Sequence, residues 1–108
     1  MNDRLLSLLG IARRAGKLTM GFDPVAEDTA KHKAKLVLTA SDLSERTLKG
    51  VREVCAQHNV PCVPLGHTMD EIHKAIGKRT GVLATADHGF AQSIKELCRF
   101  NNEEESQL

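Results

Sequence analysis

The chain has 108 residues and a formal charge of +1, with 41% apolar residues and only 3% aromatics, none of them Trp or Tyr. That length holds one domain with an aliphatic core. So few aromatics exclude a tyrosine-rich sheet that stacks bases, the usual grip on single strands. The last ten residues hold Arg99 against Glu103, Glu104 and Glu105; without them 14 basic and 11 acidic residues remain, a mildly basic balance compatible with nucleic acid.

Cys55, Cys62 and Cys98 form no close pair in sequence. An odd count without a leader points to a reducing compartment and to thiols that fill the core. The stretch Leu5-Leu6-Ser7-Leu8-Leu9 is too short to span a membrane and lacks a small-residue cleavage site. The expected location is the cytoplasm, with no membrane contact.

In chain order, Asn2 or Asp3 can cap a first helix whose inner face is Leu5, Leu8, Leu9 and Ala12, and Gly16 stands where a helix-ending glycine belongs. Arg13, Arg14 and Lys17 cluster at that end. A short strand over Leu18–Met20 leads to a tight turn at Gly21, and a second helix is expected from Pro24 to about Lys33 with Asp23 as N-cap. A helix opening straight out of a glycine turn presents backbone N–H groups and partial positive charge, suited to phosphate or a base edge.

Residues 34–40 read as a buried strand, and Asp42-Leu-Ser-Glu45 as a capping box opening a third helix with Leu48, Val51, Val54 and Cys55 inward. Asn59 suits a left-handed terminator before Val60-Pro61. The third strand, Cys62–Leu65, is pushed to an edge by its prolines. Thr68-Met-Asp-Glu71 is a second capping box, starting a helix with Ile72, Ala75 and Ile76 inward and Gly77 ending it. Residues 81–86 form a buried strand, Asp87-His88-Gly89 turns into a last helix, and Phe90, Ile94, Leu97 and Cys98 face the core. Residues 1–99 make a single domain, and the polar, acidic tail 100–108 is expected to be disordered. Alternating helices and strands predict an α/β sheet covered by helices.

Enzymatic readings fail one by one. Gly77-Lys78-Arg79-Thr80 is no phosphate loop, because position 72 is Ile and the segment follows a helix and precedes a strand. Cys62, His67 and His73 have no standard zinc spacing and need a distant fourth ligand such as His88 or Cys98. No thiol has a nucleophile's partner. That leaves two surfaces, the Gly21 corner and the Lys78-Arg79-Thr80 loop, either of which alone reads as an ordinary capped turn or a solvated loop.

Several motifs, in order, resemble one family. They are Leu8-Leu-Gly-Ile-Ala-Arg-Arg-Ala-Gly-Lys-Leu18, the Gly21 corner, Ala34-Lys-Leu-Val-Leu38, Val60-Pro61, Glu71-Ile72 with Ala75-Ile-Gly-Lys78, and Asp87-His-Gly-Phe-Ala91. Over roughly Leu5 to Leu97 the chain is similar to the YlxQ-type bacterial branch of the L7Ae/L30e ribosomal-protein family, small kink-turn RNA-binding proteins. The resemblance implies a three-layer α/β/α sandwich around a mixed sheet of about four strands. It also implies a monomer without catalysis, cofactor or metal, whose partner is structured RNA of the ribosome or another kink-turn-containing particle. In that family RNA is held by the turn after the first strand, typically Gly-x-Asn-Glu-x-x-Lys, and by the loop before the last strand. The first contacts tandem sheared G·A pairs, and the second covers a nucleotide thrown out of the stack.

Those segments fall on Gly21 to Glu27 and on Lys78 to Thr80. Gly21 matches, letting backbone approach nucleic acid, but the Asn position is Asp23, the Glu position Pro24 and the Lys position Glu27. Asp23 keeps acceptor capacity towards guanine but loses an amide donor; Pro24 removes a contact. Glu27 reverses a charge that Lys31, one turn on, is placed to pair with. The second loop is more basic than the family's apolar one, so phosphate is its expected ligand. Base or ribose contacts fall to Gly21, Phe22 and Asp23, with the Phe22 ring expected to pack inward. Arg13, Arg14, Lys17, Lys31, Lys78 and Arg79 are the candidates for phosphate, and four or five such contacts imply a log–log salt slope of roughly −3 to −5. The competing reading is a protein-interaction or scaffold module that kept the fold and lost kink-turn specificity; a weaker one is the detached substrate-binding domain of an RNA-modifying enzyme.

Overall fold

A computed structural model describes the backbone of residues 4–106 and the side chains of residues 4–99. The elements are α1 (Arg4–Arg14), β1 (Thr19–Met20), α2 (Phe22–Ala30), β2 (Leu36–Thr39), α3 (Glu45–Gln57), β3 (Cys62–Pro64), α4 (Met69–Ile76), β4 (Val82–Thr85) and α5 (His88–Ser106). The sheet order is β1-β4-β2-β3, with β4 antiparallel to both β1 and β2 and β3 parallel to β2. It is the mixed sheet expected, with the proline-flanked β3 at an edge.

Alternation along β2 sorts the helices into layers. Leu36 and Leu38 face Leu5 and Leu9 of α1, Ile72 and Ile76 of α4, and Ala91, Ile94 and Cys98 of α5. Val37 points the other way, onto Val25 of α2 and Val51 and Cys55 of α3. The sheet therefore lies between two aliphatic cores in a three-layer α/β/α sandwich.

Most helix ends follow the sequence. Thr68 Oγ1 accepts the Glu71 N–H at 3.1 Å while Glu71 Oε1 accepts the Thr68 N–H at 2.8 Å, and Gly77 ends α4 in the left-handed region at φ 80°. Asn59 takes φ 57°, and Gly16 takes φ 72° after α1. The expected cap of α1 at Asn2 or Asp3 lies outside the described residues.

Three expectations need correction. The N-cap of α2 is Gly21 and not Asp23, because the Gly21 carbonyl already accepts the Val25 N–H at 3.1 Å. The helix thus begins two residues early, and Pro24 falls at its third position, where its missing N–H still costs no intrahelical bond. The N-cap of α3 is Ser44, whose Oγ accepts the Thr47 N–H at 3.2 Å. Asp42 accepts the Met69 N–H at 2.9 Å instead, closing the start of α4 from 27 residues away. Finally, α5 runs on to Ser106 instead of breaking at Asn101. The stretch beyond residue 90 contains no Gly or Pro to stop it, and its three successive glutamates are good helix formers.

Candidate nucleic-acid interface

Pairing of β1 with β4 sets Thr19 opposite Ala84 and Met20 opposite Leu83. One residue further the register brings Gly21 to Val82, and the Gly21 N–H donates to the Val82 carbonyl at 2.9 Å. Since Val82 is the first residue after the 77–81 loop, the two segments singled out in the sequence lie side by side at one rim of the sheet. The turn after β2 joins them there: Ala40 N–H donates to Gly81 O at 2.9 Å and Ser41 N–H to His67 O at 2.8 Å.

Gly21 has φ 100° and ψ 153°, a region that only glycine occupies without strain. No side chain caps the helix that follows. With the Gly21 N–H given to Val82 and Pro24 lacking one, the Phe22 and Asp23 N–H groups and the positive end of the dipole are left without a side-chain cap.

The side chains divide sharply. Phe22 is 39% exposed, but its ring leans away into the cleft between α2 and α3, with Cε1 3.6 Å from where a Cβ on Gly50 would sit. It packs inward, as expected, and roofs an apolar cleft with Val25, Ala26, Val51 and Val54. Asp23, Pro24 and Lys78 are exposed. Glu27 is paired with Lys31 at 3.3 Å, as the spacing predicts. The Arg79 Nε donates to Asp70 Oδ1 at 3.0 Å, and its Nη1 lies 3.8 Å from Met69 Sδ. Thr80 is buried, its hydroxyl donating to the Val82 carbonyl at 3.2 Å and accepting the Val82 N–H at 3.3 Å. Lys78 is thus the cation of this loop that meets solvent with no ion-pair partner among the described residues.

The remaining nominated cations sit elsewhere. Arg14 lines the groove between α1 and α4. Lys17 lies beside the far end of β4, its ammonium 4.0 Å from Asp87. Arg13 is exposed in the last turn of α1. Lys31 follows α2, roughly 14 Å along the helix from Gly21. The fold does not assemble all eleven residues into one surface.

Two determinants of the corner escaped the sequence reading. Asp70 restrains Arg79, which the pairing of an N-terminal helix carboxylate with a cation nine residues later could have suggested. Gly81 is buried so tightly that a Cβ there would meet Leu43 Cδ1 at 2.6 Å and Met69 Sδ at 3.2 Å. No local signal marks that.

Burial pushes the Cys98 thiol up to about 11, and burial together with the neighbouring Cys62 pushes Cys55 up to about 12, so neither forms a thiolate near neutrality. Among the described residues no three His, Cys, Asp or Glu side chains gather as a metal-binding group, and no helix is long and apolar enough to cross a membrane.

The RNA-binding protein YlxQ of Enterococcus faecium is 40% identical over 95 residues, covering 88% of this chain and 91% of that protein. The RNA-binding protein YlxQ of Bacillus subtilis (strain 168) is 36% identical over 91 residues, covering 83% and 90%. Among solved structures, a protein of unknown function from Bacillus halodurans C superposes with a TM-score of 0.85 at 29% identity, covering 91% of this chain and 99% of the other. The Giardia lamblia 15.5kD RNA binding protein shares the fold, with a TM-score of 0.73 at 18% identity over 92% and 91% of the two chains. Residues 3–99, nearly all the described chain, match the model of one family, and with these relatives and this sandwich the chain belongs to the ribosomal protein L7Ae/L30e/S12e/Gadd45 family.

Proposed function

We propose that this protein is a non-enzymatic, cytoplasmic RNA-binding protein that holds structured, kink-turn-like RNA, ribosomal or other, at the corner between Gly21–Asp23 and the loop of Lys78–Thr80. The observation that carries the reading is the 2.9 Å bond from the Gly21 N–H to the Val82 carbonyl, which lays an uncapped helix start against a basic loop. The names of the two YlxQ relatives and of the Giardia protein agree with RNA as the partner.

Each part has a chemical task. The first-turn N–H groups of α2 bind a phosphate oxygen or a base acceptor, and Gly21 lets the RNA backbone come close. Asp23 accepts from a guanine edge. Lys78 meets a phosphate directly, whereas Arg79 exchanges the Asp70 carboxylate for one. Thr80 contributes by holding the loop's shape. Lys31, at the far end of α2, offsets the charge of Glu27 without itself reaching the corner.

Titration with a kink-turn RNA, and with the same RNA carrying Watson–Crick pairs in place of its G·A pairs, tests this at two salt concentrations. The kinked form should bind more tightly. The double variant Lys78→Ala/Arg79→Ala should lose affinity and flatten the log–log salt slope by about 2. Absence of saturable binding at low salt, or binding untouched by the double variant, overturns the proposal, and co-purification with a large protein partner and no RNA favours a protein-interaction module.

A further inference from the structure

The opposite rim of the sheet, where β1 and β2 begin and β4 ends, carries a second set of cations. Lys17 precedes β1, and Lys33 and Lys35 lead into β2. The Lys35 N–H donates to the Thr85 carbonyl at 2.8 Å, while Lys17 reaches Asp87, two residues beyond Thr85, at 4.0 Å. The two lysines therefore flank the end of β4, their backbones roughly 10 Å apart at ordinary strand spacing. All three side chains are exposed.

This rim is rigid. After α2 the chain turns through four bonds, Lys31 N–H to Glu27 O, His32 N–H to Thr29 O, and both Lys33 and Ala34 N–H to Asp28 O. His32 takes φ 61° in that turn, and its ring packs edge-on against His58 at 5.3 Å. The Thr19 hydroxyl donates to Asp28 Oδ2 at 2.7 Å, tying the turn to β1. The two carboxylates of the rim are thus already engaged: Asp28 by Thr19, and Asp87 by the Phe90 N–H at 2.9 Å and by Lys17. Lys33 and Lys35 have no ion-pair partner among the described residues.

We infer that Lys17, Lys33 and Lys35 form a second phosphate-binding face, which holds the backbone of an RNA helix at the end of the sheet away from the Gly21 corner. The inference takes from the proposed function only the chemical class of the partner. Lysines are point charges without the fork of arginine, suited to phosphates whatever the sequence. The exposed Phe22 ring is at the other rim, and the ring on this one, His32, is paired edge-on with His58, so charge is the main thing this face offers. The rims are separated by roughly the length of α2, about 14 Å. One protein can therefore hold a kinked segment at one rim and a regular stem at the other.

The test uses a straight RNA duplex of about 16 base pairs beside the kink-turn RNA. Wild-type protein should bind the duplex with a log–log salt slope of about −2 to −3. The triple variant Lys17→Ala/Lys33→Ala/Lys35→Ala, with its fold checked by circular dichroism, should lose about tenfold in low-salt affinity for the duplex and flatten its slope towards zero. Lys33→Arg/Lys35→Arg should keep both, and so should Lys78→Ala. Duplex binding that survives the triple variant, or that depends on Lys78 instead, overturns the second face. Failure of the corner reading looks different: kinked and straight RNA bind equally, while the triple variant still abolishes duplex binding.

Discussion

The starts of α2 and α4 stand at the same rim and are finished in opposite ways. α4 is closed twice, by the reciprocal bonds of Thr68 and Glu71 and by Asp42 on the Met69 N–H. α2 starts from a glycine that offers no side chain at all. Capping satisfies a helix's own orphan donors and so favours the folded state; an open start leaves those donors for something outside the protein. Both starts border the Lys78 loop, α2 through the Gly21–Val82 bond and α4 through the Asp70–Arg79 pair, but only α2 is left without a side-chain cap, which is the feature the proposed function uses.

Substitutions can break this contrast or sharpen it. The largest effect belongs to the anchor of α4: Ile72→Ala, at a site with no exposure, should cost about 2–5 kcal/mol in urea unfolding. Gly21→Ala should cost roughly 1–3 kcal/mol, because φ 100° is forced by the bond to Val82, and it should weaken RNA binding as well. A neutral result would mean that the corner relaxes easily and is no preformed site. Removing the cap in Thr68→Ala should cost about 1 kcal/mol, whereas Asp23→Ala should stay within about 0.5 kcal/mol, since Asp23 caps nothing. Equal losses from those two would erase the distinction between the helix starts.

The smallest effect is an acid one. The Thr68 N–H, and to a lesser degree His67, hold the Glu71 carboxyl below the ordinary carboxylate range. A pKa depressed by folding adds stability above the unfolded value of about 4.3, and that stability is lost as pH falls through the folded value. The difference in thermal midpoint between wild type and Glu71→Gln should therefore shrink on going below about pH 4. A difference that stays constant to about pH 2 would show that the reciprocal bond is not tuned by charge.

Much of this was legible in the sequence. Helical spacing, start and stop signals and short apolar runs located the helices and strands, and the Thr68 box and the Gly77 and Asn59 terminators emerged as read. What escaped was decided at long range. Asp23-Pro24 is a strong local start signal, yet the hydrogen bond of Gly21 to Val82, across 61 residues of chain, sets the helix two residues earlier. Asp42 looked like half of a box and gave its carboxylate to Met69. The nominated cations looked like one surface because they share a charge, but Lys17 precedes β1 and Gly21 follows it, which sends them to opposite rims of the sheet. Lys33 read as the end of the second helix and Lys35 as part of a buried strand until the sheet set them beside Lys17.

The bond from Met69 to Asp42 also links two events in time. The turn after β2 and the first residue of α4 share one donor and one acceptor, with α3 and β3 enclosed between them. The turn cannot fluctuate open without releasing the Met69 amide, so that amide's hydrogen-exchange rate reports on motion of a segment 27 residues earlier in the chain.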